Sequence, residues 1–154
     1  MRRPVIAVVG GSRSTPEEDG QAEAVGRLLA ERGAVLLCGG LGGVMEAAAR
    51  GARAAGGLTV GILPGSDPAE ANPYIELPLA TGMGEMRNAL IVRAAQALIA
   101  IGGGWGTLSE VALARRIGTP VVGLYDALSG IDLPRVATPT EAVRWALEQA
   151  RIVA

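Results

Sequence analysis

The chain contains neither lysine nor histidine, so all 14 of its basic residues are arginines. Without lysine there is no internal aldimine to pyridoxal phosphate and no Walker lysine. Without histidine, a Ser-His-Asp triad and zinc sites built on imidazole also fall away. Cys38 is the only cysteine, which excludes an intramolecular disulfide and makes the cytoplasm the expected compartment. Long apolar runs are missing too. The stretch from Ala89 to Ile101 is interrupted by Arg93 and Gln96 and falls short of the roughly 20 residues a membrane span needs. After Met1-Arg2-Arg3-Pro4 the apolar run stops at Val9, so neither an export segment nor a membrane partner is expected. A net charge of −1 supplies no basic field for a long polyanion, and nucleic acid is not an expected partner. A small anion can still be held by local dipoles and one or two arginines. No tight acidic cluster points to a metal site.

Glycine, by contrast, is plentiful, with 23 residues. The apolar run Ala97 to Ile101 is followed by Gly103-Gly104-Trp105-Gly106-Thr107-Leu108-Ser109-Glu110. This reads as a strand, a glycine turn and a helix N-terminus carrying a carboxylate. Unpaired amides and the positive end of the helix dipole converge at such a turn, and glycine lets an anion approach the main chain. An earlier copy, Gly39-Gly40-Leu41-Gly42-Gly43-Val44-Met45-Glu46, follows Ala34 to Cys38. Both read Gly-Gly-x-Gly-[Gly/Thr]-[Val/Leu]-x-Glu. Two such loops, each at the carboxyl end of a strand, point to a phosphate-containing ligand at that edge of a sheet.

The rest of the chain alternates strand and helix patterns. Strands are expected at Val5–Val9, Ala34–Leu37, Leu58–Ile62, Ala97–Ile101 and Pro120–Leu124, with a further short one between Tyr74 and Ala80. Thr15-Pro16-Glu17-Glu18 supplies a capping box and a first-turn proline for a helix running to about Glu31, stopped by Gly33. Its stripe of Ala, Leu and Val between Ala22 and Ala30 is a core face. Further helices are expected at about Val44–Ala55, Glu85–Gln96, Leu108–Arg116 and Glu141–Arg151, the last started by Thr138-Pro139-Thr140. Pro64 to Pro73 reads as an irregular loop. Residues 1–154 are therefore expected to form a single α/β domain, Rossmann-like and doubly wound, with a mostly parallel sheet and ligand loops along one edge.

Neither glycine loop fits a dinucleotide fingerprint, because Met45 and Thr107 stand where the third glycine belongs. The segment Gly102-Gly103-Gly104-Trp105-Gly106-Thr107-Leu108-Ser109-Glu110 resembles instead the Pro-Gly-Gly-x-Gly-Thr-x-x-Glu motif of the LOG proteins, cytokinin-activating phosphoribohydrolases often mislabelled lysine decarboxylases. Upstream, Gly82-Met83-Gly84-Glu85-Met86-Arg87-Asn88-Ala89 resembles that family's second motif, in which Met is followed by Arg-Lys. The resemblance covers roughly Val5 to Leu124. Gly102 replaces the leading Pro and Asn88 replaces the Lys, and in both respects the chain looks closer to the sister branch of molybdenum cofactor carrier proteins.

By matching positions the resemblance implies catalytic roles for Arg87 and Glu110 and a phosphate-binding role for Gly103, Gly104, Gly106 and Thr107. From the residues alone, Gly39, Gly40, Gly42, Gly43 and Ser12 join the candidate ligand contacts, and no metal ligand is named. Trp105 is read either as stacking on a base or lining a dimer surface, or as packed over the glycine turn. Glu46 is read as a helix-cap or structural residue, and Cys38 as core. Two functions follow as expectations. The first is hydrolysis of the N-glycosidic bond of a nucleoside 5′-monophosphate, with no cofactor and with Glu85 or Asp67 as candidates to protonate the leaving base. The alternative is a carrier that binds the molybdenum cofactor, or a related phosphorylated pterin or nucleotide, without turnover. A homo-oligomer, at least a dimer, is also implied by the resemblance.

Overall fold

The computed structural model describes residues 2–153. Seven strands form one sheet in the order β4-β3-β2-β1-β5-β6-β7, and every neighbouring pair is parallel. They are β1 (Val5–Gly10), β2 (Val35–Cys38), β3 (Thr59–Leu63), β4 (Leu77–Ala80), β5 (Ala97–Ile101), β6 (Val121–Leu124) and β7 (Arg135–Val136). Among the described residues there are five α-helices: α1 (Pro16–Glu31), α2 (Val44–Ala54), α3 (Asn88–Ala94), α4 (Trp105–Ile117) and α5 (Pro139–Val153). The doubly wound α/β class read from the alternating pattern is the observed one. No described helix is long and apolar enough to cross a membrane.

The central strands are apolar along their whole length because both faces are covered. Ile6 and Val8 point to one side, where they join Ile99, Ile101 and residues of α1, α2 and α5. Ala7 and Val9 point to the other, against Leu98, Ala100 and the buried residues of α3 and α4. The expected face of α1 is buried at Ala22, Val25 and Leu29. Its start is the expected capping box: Thr15 Oγ1 accepts from the Glu18 amide at 3.1 Å, and Glu18 Oε1 accepts from the Thr15 amide at 2.9 Å. Helices α1 and α2 approach closely through two glycines. A Cβ on Gly26 would lie 1.9 Å from the Ala48 carbonyl oxygen, and one on Gly51 would lie 2.0 Å from that of Glu23.

Some elements differ from the expectation. The helix expected over Glu85–Gln96 begins as a 3₁₀ turn, Gly84–Arg87, and α3 ends at Ala94. Gln96 leaves the helix because its backbone N–H donates to the Val5 carbonyl and its side-chain oxygen accepts from the Val5 N–H, both at 2.9 Å. The loop from Pro64 to Pro73 contains a further 3₁₀ turn, Pro68–Glu70, capped by Asp67. β7 has no apolar run to announce it. It forms because Arg135 gathers the loop after β6, donating to the carbonyls of Tyr125, Ala127, Leu128 and Ile131 at 2.6 to 3.2 Å.

The chain lays β1 to β4 outward in one direction, then returns to start β5 on the other side of β1. The reversal opens a crevice beyond the carboxyl ends of β1 and β5, where open parallel sheets hold their ligands.

Candidate functional site

A cavity of about 320 Å³ fills that crevice. Its walls come from the end of β1 with Gly10, Gly11 and Ser12, from the first glycine loop with Gly39, Leu41 and Met45, from Arg87 and Asn88, and from the start of α4 with Gly104, Trp105, Gly106, Thr107 and Glu110.

The start of α4 is open. Gly104 is its N-cap, with no side-chain cap, and the first backbone bond inside the turn is Leu108 N–H to the Gly104 carbonyl at 2.9 Å. Among the described residues the amides of Trp105, Gly106 and Thr107 donate to no protein acceptor. These are the orphan donors of a helix N-terminus, backed by its dipole. Two of the glycines here are unexplained by the protein itself. A Cβ on Gly104 or Gly106 would meet no heavy atom within 4 Å, and neither residue has a positive φ. Gly104 suits an N-cap, but glycine inside a helix, as at Gly106, costs about 1 kcal/mol relative to alanine, so free space kept at this turn fits close approach by a ligand. Gly103 is different: its φ of +113° favours glycine, and it packs on the Thr107 side chain.

Arg87 and Glu110 face the same cavity and are both buried, at 9% and 7% exposure. Gly39 makes room for the arginine, since a Cβ there would sit 2.7 Å from Arg87 Nη2 and 2.8 Å from Met45 Sδ. Arg87 Nη1 donates to Asn88 Oδ1, while Nε is buried with no partner among the described residues. Asn88 Nδ2 in turn donates to Ser109 Oγ at 3.3 Å, and Ser109 Oγ donates to the Gly106 carbonyl at 2.7 Å. The second motif is thereby tied to the glycine turn.

Glu110 accepts no hydrogen bond from any described residue and forms no ion pair with Arg87 within 4.0 Å. Burial pushes its carboxyl up to about 7, against the pull of the Arg87 charge. Burial likewise lowers the Arg87 guanidinium below its ordinary value, opposed by Glu110, Cys38 and Glu85. Behind them the buried Cys38 thiol is raised to about 11 by burial, so it stays a neutral core group.

A raised carboxyl makes stability depend on pH. In the unfolded chain the Glu110 carboxyl titrates near its ordinary value, so the contribution is fully present below about 4.5 and is lost as pH rises through about 7. Glu110→Gln is therefore expected to match the wild type in urea denaturation at pH 4 and to be more stable at pH 8.5, by on the order of 1–3 kcal/mol. An unchanged difference between the two pH values would show that the carboxyl is not held up by burial.

The two glycine loops, alike in sequence, do different work. In the first, Val44 N–H donates to the Gly11 carbonyl at 3.0 Å, and a Cβ on Gly43 would lie 2.2 Å from that same oxygen. Gly40 has a φ of +78°, and its carbonyl accepts from the Asn72 N–H at 2.9 Å. Gly39 and Ser12 border the cavity; Gly40, Gly42, Gly43, Gly103 and Glu46 are not among its walls. Trp105 is 87% exposed at the rim, which excludes packing over the turn. Glu85 is exposed, and Asp67 spends its carboxylate accepting from the Ala69 amide, so neither lines the cavity. Leu41 and Met45 are further walls not expected from the sequence; the signal available for them is their place within the first glycine loop and just after it.

A model of the SLOG cluster4 family matches residues 3–149. The chain belongs to the SLOG cluster4 family. An uncharacterized protein of Archaeoglobus fulgidus is 41% identical over 150 residues, 97% of this chain and 99% of that one. Among solved structures, the molybdenum cofactor binding protein of Rippkaea orientalis superposes with a TM-score of 0.91 at 36% identity, covering 100% of this chain and 99% of that one. The molybdenum cofactor carrier protein of Chlamydomonas reinhardtii gives 0.85 at 32% identity, covering 98% and 99%. The likeness to LOG and carrier proteins read from the two motifs agrees with this SLOG membership.

Proposed function

We propose that this SLOG protein binds a small phosphorylated ligand in the β1/β5 crevice and carries it without turnover, with the molybdenum cofactor as the ligand and a related phosphorylated pterin or nucleotide as the wider class. The observation that carries the reading is the open turn at Gly104–Thr107. Three amides without protein acceptors and two glycines with no neighbour to avoid share a cavity with an arginine whose Nε is unpartnered. A phosphate on those amides completes hydrogen bonds that the fold leaves open. The cofactor comes from the two relatives above, each more than 30% identical and matched along nearly its whole length.

One observation favours a second reading, hydrolysis of a nucleoside 5′-monophosphate. The Glu110 carboxyl, buried and pushed up to about 7, suits a general acid or base at neutral pH. Against it, among the described residues Glu110 is the one carboxylate that lines the cavity, and no second one stands opposite to protonate a leaving base. The decisive experiment titrates the purified protein with molybdenum cofactor and separately incubates it with AMP and other monophosphates, following free base by chromatography. Saturable cofactor binding with no base released is the expected result. Base release that disappears in Glu110→Ala would establish the hydrolase instead.

A further inference from the structure

An anion site walled by a buried carboxylate is a contradiction in charge, and the way it resolves decides which anions enter. Glu110 lies three residues after Thr107 and four after Gly106, so it projects from the same face of α4 as the open turn. All three line one cavity, and Glu110 stands one helical turn, about 5.4 Å of rise, beyond the open amides. Any oxyanion seated on the amides of Trp105 to Thr107 is therefore held within a Debye length of the carboxylate. Two like unit charges about 6 Å apart at an effective dielectric near 20 change an affinity about a hundredfold.

The neighbours leave Glu110 to settle this alone. From the Gly84–Arg87 turn comes the Arg87 charge, and from the end of β2 the Cys38 thiol, which is neutral through the working range. The β1 wall and the Gly39–Met45 wall contribute no charged side chain, and Asn88, Ser12 and Thr107 do not titrate. Arg87 can offset one negative charge but not both a carboxylate and a dianion. With no hydrogen bond to a described residue, Glu110 keeps its oxygens free to hold or share a proton.

We propose that Glu110 makes the crevice selective for an oxyanion that brings a proton, inorganic phosphate or a singly protonated phosphate monoester, over one that is fully ionised, such as sulfate. This rests on the reading of the crevice as an anion site. The proton balance is simple. Above neutrality inorganic phosphate is mainly the dianion, which still carries one proton and shares it with the Glu110 carboxylate, so no proton is drawn from solvent. Sulfate has no proton to bring, so its binding above neutrality draws one from solvent onto Glu110.

Isothermal titration calorimetry on the full chain with sodium sulfate and with inorganic phosphate, from pH 6 to 8.5 in two buffers of different ionisation heat, tests this in wild type and Glu110→Gln. Wild type is expected to lose about tenfold in sulfate affinity per pH unit above 7, with uptake approaching one proton per sulfate, and to lose much less for phosphate. In Glu110→Gln the sulfate affinity becomes flat with pH, and the preference for phosphate at pH 8 falls at least tenfold. A flat wild-type sulfate profile overturns the selectivity while leaving the anion site standing, as does a Gln variant that keeps the full preference. If neither anion binds either protein at pH 6, the anion site itself falls, and this inference with it.

Discussion

Arg87→Met is expected to lower affinity for the molybdenum cofactor, and for inorganic phosphate as a probe, by ten- to a hundredfold, while leaving the melting temperature unchanged or raised. The affinity loss follows from removing a charge-assisted hydrogen bond to an anion, worth about 1.5–3 kcal/mol. The stability result has a separate cause. The guanidinium is buried beside a carboxylate that it does not pair with, its Nε has no partner, and burial has already lowered its pKa. Replacing a buried charge with an apolar side chain of similar length is often neutral or stabilising. The Glu110 carboxyl, losing its positive neighbour, moves further up and is neutral at pH 7, so no charge is stranded. Calorimetric titration and differential scanning calorimetry on the same preparation check both halves. A fall in melting temperature with affinity retained would make Arg87 a structural residue and remove it from the site.

Gly26→Ala and Gly51→Ala are each expected to destabilise the fold by about 2–4 kcal/mol. Alanine is intrinsically the better helix former, by about 1 kcal/mol. Here the new methyl would lie at 1.9 or 2.0 Å from a backbone oxygen of the facing helix, and no side chain can turn aside to relieve it. Helices α1 and α2 must separate, weakening the contacts of Val25, Leu29, Ala48 and Ala52. Gly20→Ala in α1 is the control. Its Cβ would meet nothing within 4 Å, so the propensity gain stands alone and a rise of up to about 1 kcal/mol is expected. Urea denaturation of the three variants tests the contrast; equal midpoints for Gly20→Ala and Gly26→Ala would show that the helices are not in contact there.

The sequence made the sheet legible because a strand covered on both faces has to be apolar throughout, and Val5 to Val9 and Ala97 to Ile101 are. Helix α1 was legible from a local rule, the Thr15–Glu18 capping box. Elements that depend on distant partners were not. β7 is two residues long and exists through Arg135 and the β6 edge; α3 stops where Gln96 pairs with Val5, 91 residues earlier in the chain.

The site shows the same division. Two loops with one pattern were read as two copies of an anion turn, yet only tertiary contact decides which amides stay free. The carbonyl of Gly11 takes the first amide of α2, while nothing among the described residues reaches those of α4. The burial of Glu110, and with it the shift of its carboxyl, depends on packing around β1 and Arg87 that no local window contains.

The crevice has one wall from residues 8–45 and the other from residues 87–110, and these segments join directly along the β1–β5 ladder. An occupant touching both walls braces segments that lie far apart in the sequence. If the crevice holds a ligand as proposed, that ligand is expected to slow unfolding rather than speed folding, because both walls must be assembled before it can grip either.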